Sequence, residues 1–94
     1  MDPASAEQPA AALLDIGSGP PVLLLHGWGA TKELMLPIAH RLPGFRVVVP
    51  DLPGFGATPP PPQAWGVDEY AAWVVALLDR LDMPHVSIVA HSNG

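Results

Sequence analysis

His85-Val86-Ser87-Ile88-Val89-Ala90-His91-Ser92-Asn93-Gly94 reads as a short apolar, β-branched run that leads directly into a serine framed by two small residues, Ala90 and Gly94. A run of this length and composition is expected to be a strand. The small-x-Ser-x-Gly spacing suits a chain that turns from strand into helix so tightly that only small side chains fit two residues either side of the serine. Such a turn holds the hydroxyl out in the open. The fold reading therefore rests on whether the preceding chain supplies a sheet that delivers this strand.

Moving upstream, Tyr70, Ala71, Val74, Leu77, Leu78 and Leu81 recur at helical spacing from Val67 and predict an amphipathic helix that ends before Pro84. Asp68 and Glu69 fall in its first turn, where negative charge is favoured. Pro59 to Pro62 form a stiff extended spacer ahead of it. Arg46-Val47-Val48-Val49-Pro50 is a second β-branched run, and it opens into the loop Asp51-Leu52-Pro53-Gly54-Phe55-Gly56. Leu34, Ile38 and Leu42 recur every four positions and predict a helix with one buried stripe, starting near Leu34 to Leu36 because Pro37 is tolerated only in a first turn. Val22-Leu23-Leu24-Leu25 is a continuous apolar run of the kind buried on both faces of a parallel sheet, and it ends at His26-Gly27-Trp28-Gly29. Residues 11–16 are expected to add an edge strand, and residues 1–10, small, polar and Pro-containing, a flexible leader. Strand, helix, strand, helix, strand is the pattern of crossover connections in a mostly parallel α/β sheet, whose loops carry ligands at the carboxyl ends of the strands.

Composition narrows the function classes. The 94 residues are 49% hydrophobic and only 14% charged, which suits one small domain or part of a larger core. A net charge of −5 with four Lys and Arg argues against nucleic acid or an anionic membrane as a partner. With no cysteine there is no disulfide framework and no thiolate metal site, so a cytoplasmic location is expected. Neither a signal segment nor a membrane-spanning run is visible.

Three loops thus fall at strand carboxyl ends: His26-Gly27-Trp28-Gly29, Asp51 to Gly56, and the turn at Ser92. In that order they resemble the N-terminal part of an α/β-hydrolase fold protein over residues 16–94, where a His-Gly loop, an Asp-x-x-Gly-x-Gly loop and a nucleophile elbow follow successive parallel strands. The resemblance implies residues 11–94 are the N-terminal part of one such domain, its C-terminal half missing, with the Val22–Leu25 strand between the other two parallel strands. The strand before Ser92 would then be an exposed apolar edge.

The resemblance also implies roles. Ser92 would be the catalytic nucleophile of a serine hydrolase acting on a small-molecule ester or acyl substrate through an acyl-enzyme. The backbone N–H groups of Trp28 and Asn93 would form the oxyanion hole, while His26, Gly27, Gly29, His91 and Gly94 shape loop and pocket. Ala90 stands where the family more often has glycine. The family's acid and histidine follow the serine in chain order, so both are expected beyond Gly94, and the 94 residues alone are expected to be inactive. No metal or organic cofactor is implied. Serine at the elbow disfavours the dehalogenase and epoxide hydrolase branches, whereas cofactor-free haloperoxidases and carbon–carbon hydrolases remain alternatives. A non-catalytic module holding a small ligand is the alternative outside enzymes.

Other residues receive ordinary readings. His26, His40, His85 and His91 lack close ligand spacing for a metal. His91 is expected to pack rather than serve as base, since neighbouring strand side chains point to opposite faces. His26 is expected to brace its loop, Asp51 to anchor its own by hydrogen bonds, and Trp73, off the main apolar stripe, to cover a neighbouring segment that lies outside these 94 residues.

Overall fold

The computed structural model describes residues 9–91. Four strands, β1 (Leu13–Ile16), β2 (Pro21–Leu25), β3 (Arg46–Pro50) and β4 (Ser87–Ala90), form one sheet in the order β1-β3-β2-β4. β1 runs antiparallel to β3, while β2 is parallel to both β3 and β4. The edge strand and the central place of the Val22–Leu25 strand are as expected, and the sheet is the mixed, mostly parallel one foreseen.

Burial explains the central pair. Val22, Leu24, Val47 and Val49 point to one face, against Met35 and Ala39. Leu23 and Val48 point to the other, against Met83, Val74 and Leu78. Residues of alternating direction are all apolar because each face is covered by its own helix. The helices are α1 (Leu36–Ala39), entered through a 3-10 turn at Lys32–Met35, and α2 (Val67–Arg80). They lie on opposite faces because the chain steps from β2 to β3 in one direction and then back over β2 to β4, each time with the same handedness.

Two expectations about helix faces are corrected. Pro37 does sit in the first turn of α1. The buried residues are Met35 and Ala39, however, with Leu42 packed beside them, whereas Leu34 is 67% exposed and Ile38 half-buried at best. The 3-10 turn has three residues per turn instead of 3.6, so it shifts the phase of the stripe by one position. Trp73 covers no segment from outside these residues. It is fully buried against Leu52 and Leu77, with Ala11 and Leu13 packed alongside, and its Nε1 donates to the Pro9 carbonyl at 2.9 Å. A side chain of this size at the centre of a cluster is worth about 3–5 kcal/mol against alanine. It ties the stretch preceding β1 to α2.

α2 is closed at both ends by local bonds. The Glu69 carboxylate accepts the Gly66 N–H at 3.3 Å, half of a capping box, since glycine has no side chain to return the bond. At the other end the Met83 N–H reaches the Leu78 carbonyl and the Asp82 N–H the Asp79 carbonyl, with Asp82 at φ 55. This is a Schellman motif with aspartate in the left-handed position that glycine usually takes. β4 is exposed along its whole length, and among the described residues its outer edge pairs with nothing. No helix among the described residues is long and apolar enough to cross a membrane.

Candidate active site

Register brings the carboxyl ends of three strands to one level. Leu25 pairs with Ala90, and Leu23 with Val48, so β2, β3 and β4 end together and are followed by His26, Asp51 and His91 at one edge of the sheet. Loops leaving a parallel sheet at this edge are where such folds hold ligands.

The first loop is a tight turn. The Ala30 N–H donates to the Gly27 carbonyl at 3.0 Å, and Gly29 at φ 80 occupies the third position, which needs glycine for that sign of φ. Among the described residues the Trp28 N–H, at the second position of this turn, donates to no backbone carbonyl. His26 is fully buried beneath it. Its Nε2 accepts the Leu52 N–H at 3.0 Å, so the hydrogen of the ring resides on Nδ1, which donates to the Gly27 carbonyl at 2.8 Å. Both ring nitrogens are therefore spent on main chain, one in each loop, and neither is left for acid–base chemistry.

The second loop hangs on Asp51, also fully buried. Its Oδ1 accepts the Lys32 N–H at 2.7 Å, and its Oδ2 accepts Lys32 Nζ at 2.6 Å and the Ala57 N–H at 2.9 Å. Burial alone pushes this carboxyl up, but the Lys32 ammonium and the Ala57 and Lys32 N–H groups outweigh it and hold it below the usual carboxylate range. Lys32, shared with Glu33 at 3.0 Å, is correspondingly raised, chiefly by its bond to Asp51. Asp51 thus anchors its loop, as expected. Sequence reasoning missed Lys32. The available signal was that a carboxylate at a buried strand end needs a cation within reach. Further out, the Gly54 N–H bonds the Pro59 carbonyl, and Thr58 Oγ1 accepts the Ala12 N–H, so the start of the proline run is fixed to the loop and to the stretch before β1.

Aromatic rings line the rim. Trp28, 63% exposed, packs edge-on to Phe55 at 4.9 Å and to Tyr70 at 5.9 Å between centroids, and Trp65 meets Tyr70 at 5.4 Å. The Tyr70 hydroxyl donates to the Pro53 carbonyl at 3.0 Å, which fixes the start of α2 to the second loop. Below the rim, a cleft of about 780 Å³ runs down between α2 and β4, and none of its lining side chains is charged.

His91, the residue before the serine, is exposed, and its N–H donates to the Leu25 carbonyl at 3.1 Å, directly before the His26 loop. Ser92, Asn93 and Gly94 lie outside the described residues. Of the expected site residues, the structure brings together His26, Gly27, Trp28, Gly29 and His91. Among the described residues no three His, Cys, Asp or Glu side chains gather into a possible metal site.

Comparison with known proteins agrees with this geometry. Residues 20–94 match a family model described as alpha/beta hydrolase fold. Among curated relatives, an epoxide hydrolase 2 from Siraitia grosvenorii is 41% identical over 84% of this chain and 26% of its own length. A 2-hydroxy-6-oxo-2,4-heptadienoate hydrolase from Pseudomonas putida is 35% identical over 87% of this chain and 32% of its own. Among solved structures, an esterase from Exiguobacterium antarcticum superimposes with a TM-score of 0.79 at 28% identity, covering 85% of this chain and 31% of that one. The chain thus spans about a quarter to a third of the length of the proteins it matches.

Proposed function

The chain belongs to the alpha/beta hydrolase fold family, and from that premise we propose that the complete protein is a serine hydrolase that cleaves an ester or related acyl bond. The Ser92 oxygen attacks the carbonyl carbon, the C–O bond to the leaving alcohol breaks as that alcohol takes up a proton, and water then hydrolyses the resulting acyl-enzyme. The Trp28 and Asn93 N–H groups hold the negative oxygen of each tetrahedral intermediate, each worth about 3 kcal/mol by comparison with known donors of this kind. The base that deprotonates Ser92, and the acid that orients it, come from residues beyond Gly94. No metal or organic cofactor enters this chemistry.

The observation that carries the reading is the pairing of β2 with β4. It sets His91, the residue before the serine, beside Leu25 and so next to the Trp28 turn, which supports the serine reading. Relatives named for epoxides, esters and a dienoate share the scaffold, so their names leave the bond cleaved open. The residue at position 92 favours acyl chemistry. A carbon–carbon hydrolase is the second reading, favoured by the dienoate relative, and it would use the same serine.

A fluorophosphonate probe tests the assignment. The complete protein should label, and Ser92→Ala should abolish labelling and lower kcat on the order of a millionfold if triad precedent holds. Labelling that survives Ser92→Ala overturns it. The 94 residues on their own should show no turnover above the same control.

A further inference from the structure

The turn that carries Trp28 is held at both ends by two consecutive residues that follow β3. At its start the Gly27 carbonyl accepts a bond from His26 Nδ1 at 2.8 Å, and Nε2 of the same ring accepts the Leu52 N–H at 3.0 Å. At its close the chain passes through an extended Thr31 to Lys32, whose N–H donates to Asp51 Oδ1 at 2.7 Å. Asp51 and Leu52 are thus two fixed points, and Trp28 stands on the arch between them. The two ends are not equally secure. The His26 end is held by a neutral ring, whereas the Lys32 end is held by a carboxylate buried away from water. Among the described residues the one cation on that carboxylate is Lys32 Nζ, 2.6 Å from Oδ2. Lys32 therefore grips Asp51 twice, by its main chain on one oxygen and by its side chain on the other.

We propose that Lys32 is a positioning residue for the reaction: by fixing the Asp51 carboxylate it sets where the Trp28 N–H points. The inference rests on the serine reading above and extends it to a residue whose ammonium is spent on Asp51 and Glu33. Without the ammonium, a buried carboxylate takes up a proton or draws in water, and either change loosens its grip on the Lys32 N–H. Only Gly29, Ala30 and Thr31 separate Lys32 from Trp28, so the loosened end shifts the arch itself. An oxyanion donor stabilises charge only where it is aimed in advance, and a misplacement of about 1 Å costs on the order of a hundredfold in rate. The loss falls on kcat, because the donor is matched to the tetrahedral oxyanion and not to the bound ester.

In the complete protein, Lys32→Met should lower kcat about ten- to a hundredfold while KM changes by less than about twofold. The Ki of a trifluoromethyl ketone, whose adduct with the serine carries the same oxyanion, should rise by about the factor by which kcat falls. A merely structural loss shrinks the active fraction and leaves Ki untouched. Lys32→Arg keeps a cation within reach of Oδ2 and should hold kcat and Ki within about threefold of the parent. If Lys32→Met does not fold, Lys32→Gln, which removes the charge and keeps a donor, carries the same comparison at a smaller loss. Unchanged kcat in a folded Met or Gln variant overturns the proposal. So does a fall in kcat with no matching rise in Ki, or a loss in Lys32→Arg as large as in Lys32→Met. Ketone inhibition that depends on Ser92 in these cases leaves the serine reading standing, whereas tight ketone binding that survives Ser92→Ala overturns both.

Discussion

Gly56→Ala offers the sharpest test of how the second loop is held. Gly56 has φ 53, and a Cβ built there overlaps the Asp51 carboxyl group. Two costs add. A left-handed conformation costs an alanine about 1–2 kcal/mol, of which about 0.4–1 kcal/mol is recovered because alanine restricts the unfolded chain. The carboxyl group must also move, and loss of even one of its three bonds to Lys32 and Ala57 costs about 1.5–3 kcal/mol, as for hydrogen bonds to charged groups. The sum is about 2–4 kcal/mol. Gly54→Ala is the control, because Gly54 also has positive φ, 89, but the nearest atom to its Cβ is Pro61 Cδ at an ordinary 3.8 Å. It should cost only about 0.5–1 kcal/mol. Urea unfolding followed by tryptophan fluorescence compares the two, and the difference between the variants isolates the carboxylate contact. If Gly56→Ala proves no more destabilising than Gly54→Ala, Asp51 is not the anchor argued for above.

Acid should weaken the same anchor. Asp51 is held below its unfolded value, so its contribution is complete above about pH 4 and fades as pH falls through the folded value; the urea midpoint should drop there, and drop less in Asp51→Asn. Asp15 is also lowered, chiefly by its hydrogen bonds to Arg46, but this pair is exposed, so high salt should remove its share of the acid dependence and leave that of Asp51. Asp82→Gly should raise thermal stability by up to about 1 kcal/mol, because glycine takes the left-handed position without steric cost; a lower melting temperature would contradict the Schellman geometry. Val89→Lys places a charge on the open β4 edge and should reduce concentration-dependent light scattering of the 94-residue chain, whereas unchanged scattering would mean that this edge does not drive association.

What the sequence revealed, and what it hid, follows from how far each signal reaches. Val22–Leu25 and Arg46–Pro50 were legible because strands covered on both faces are apolar at every position, a pattern that needs no knowledge of the partner. The order of the three loops was legible because glycines and the serine mark turns locally. The buried face of α1 was misread because a 3-10 turn, invisible in composition, resets the phase between Leu34 and Met35. Trp73 was misread because α2 has two apolar faces, and a single-stripe reading merges Val74, Leu77 and Leu78 into one and leaves the tryptophan outside it. Lys32 went unnoticed because it opens the 3-10 turn before α1 while its partner, Asp51, follows β3, and no spacing rule links the two. His26 was rightly read as a brace, but the Leu52 N–H that fixes its tautomer appears only once β2 and β3 lie side by side.

The interleaved strand order also bears on how the chain assembles. β2 and β3 meet across a single short helix, whereas β4 reaches β2 only after the second loop, the proline run and α2 have been traversed. Because wider loops close at greater entropic cost, β4, the strand that leads toward Ser92 in the sequence, is set to join last. A nascent chain emerging from the ribosome therefore keeps one flank of β2 open until almost all of these residues have been synthesised, and the same delay that protects the scaffold from closing early leaves it sticky.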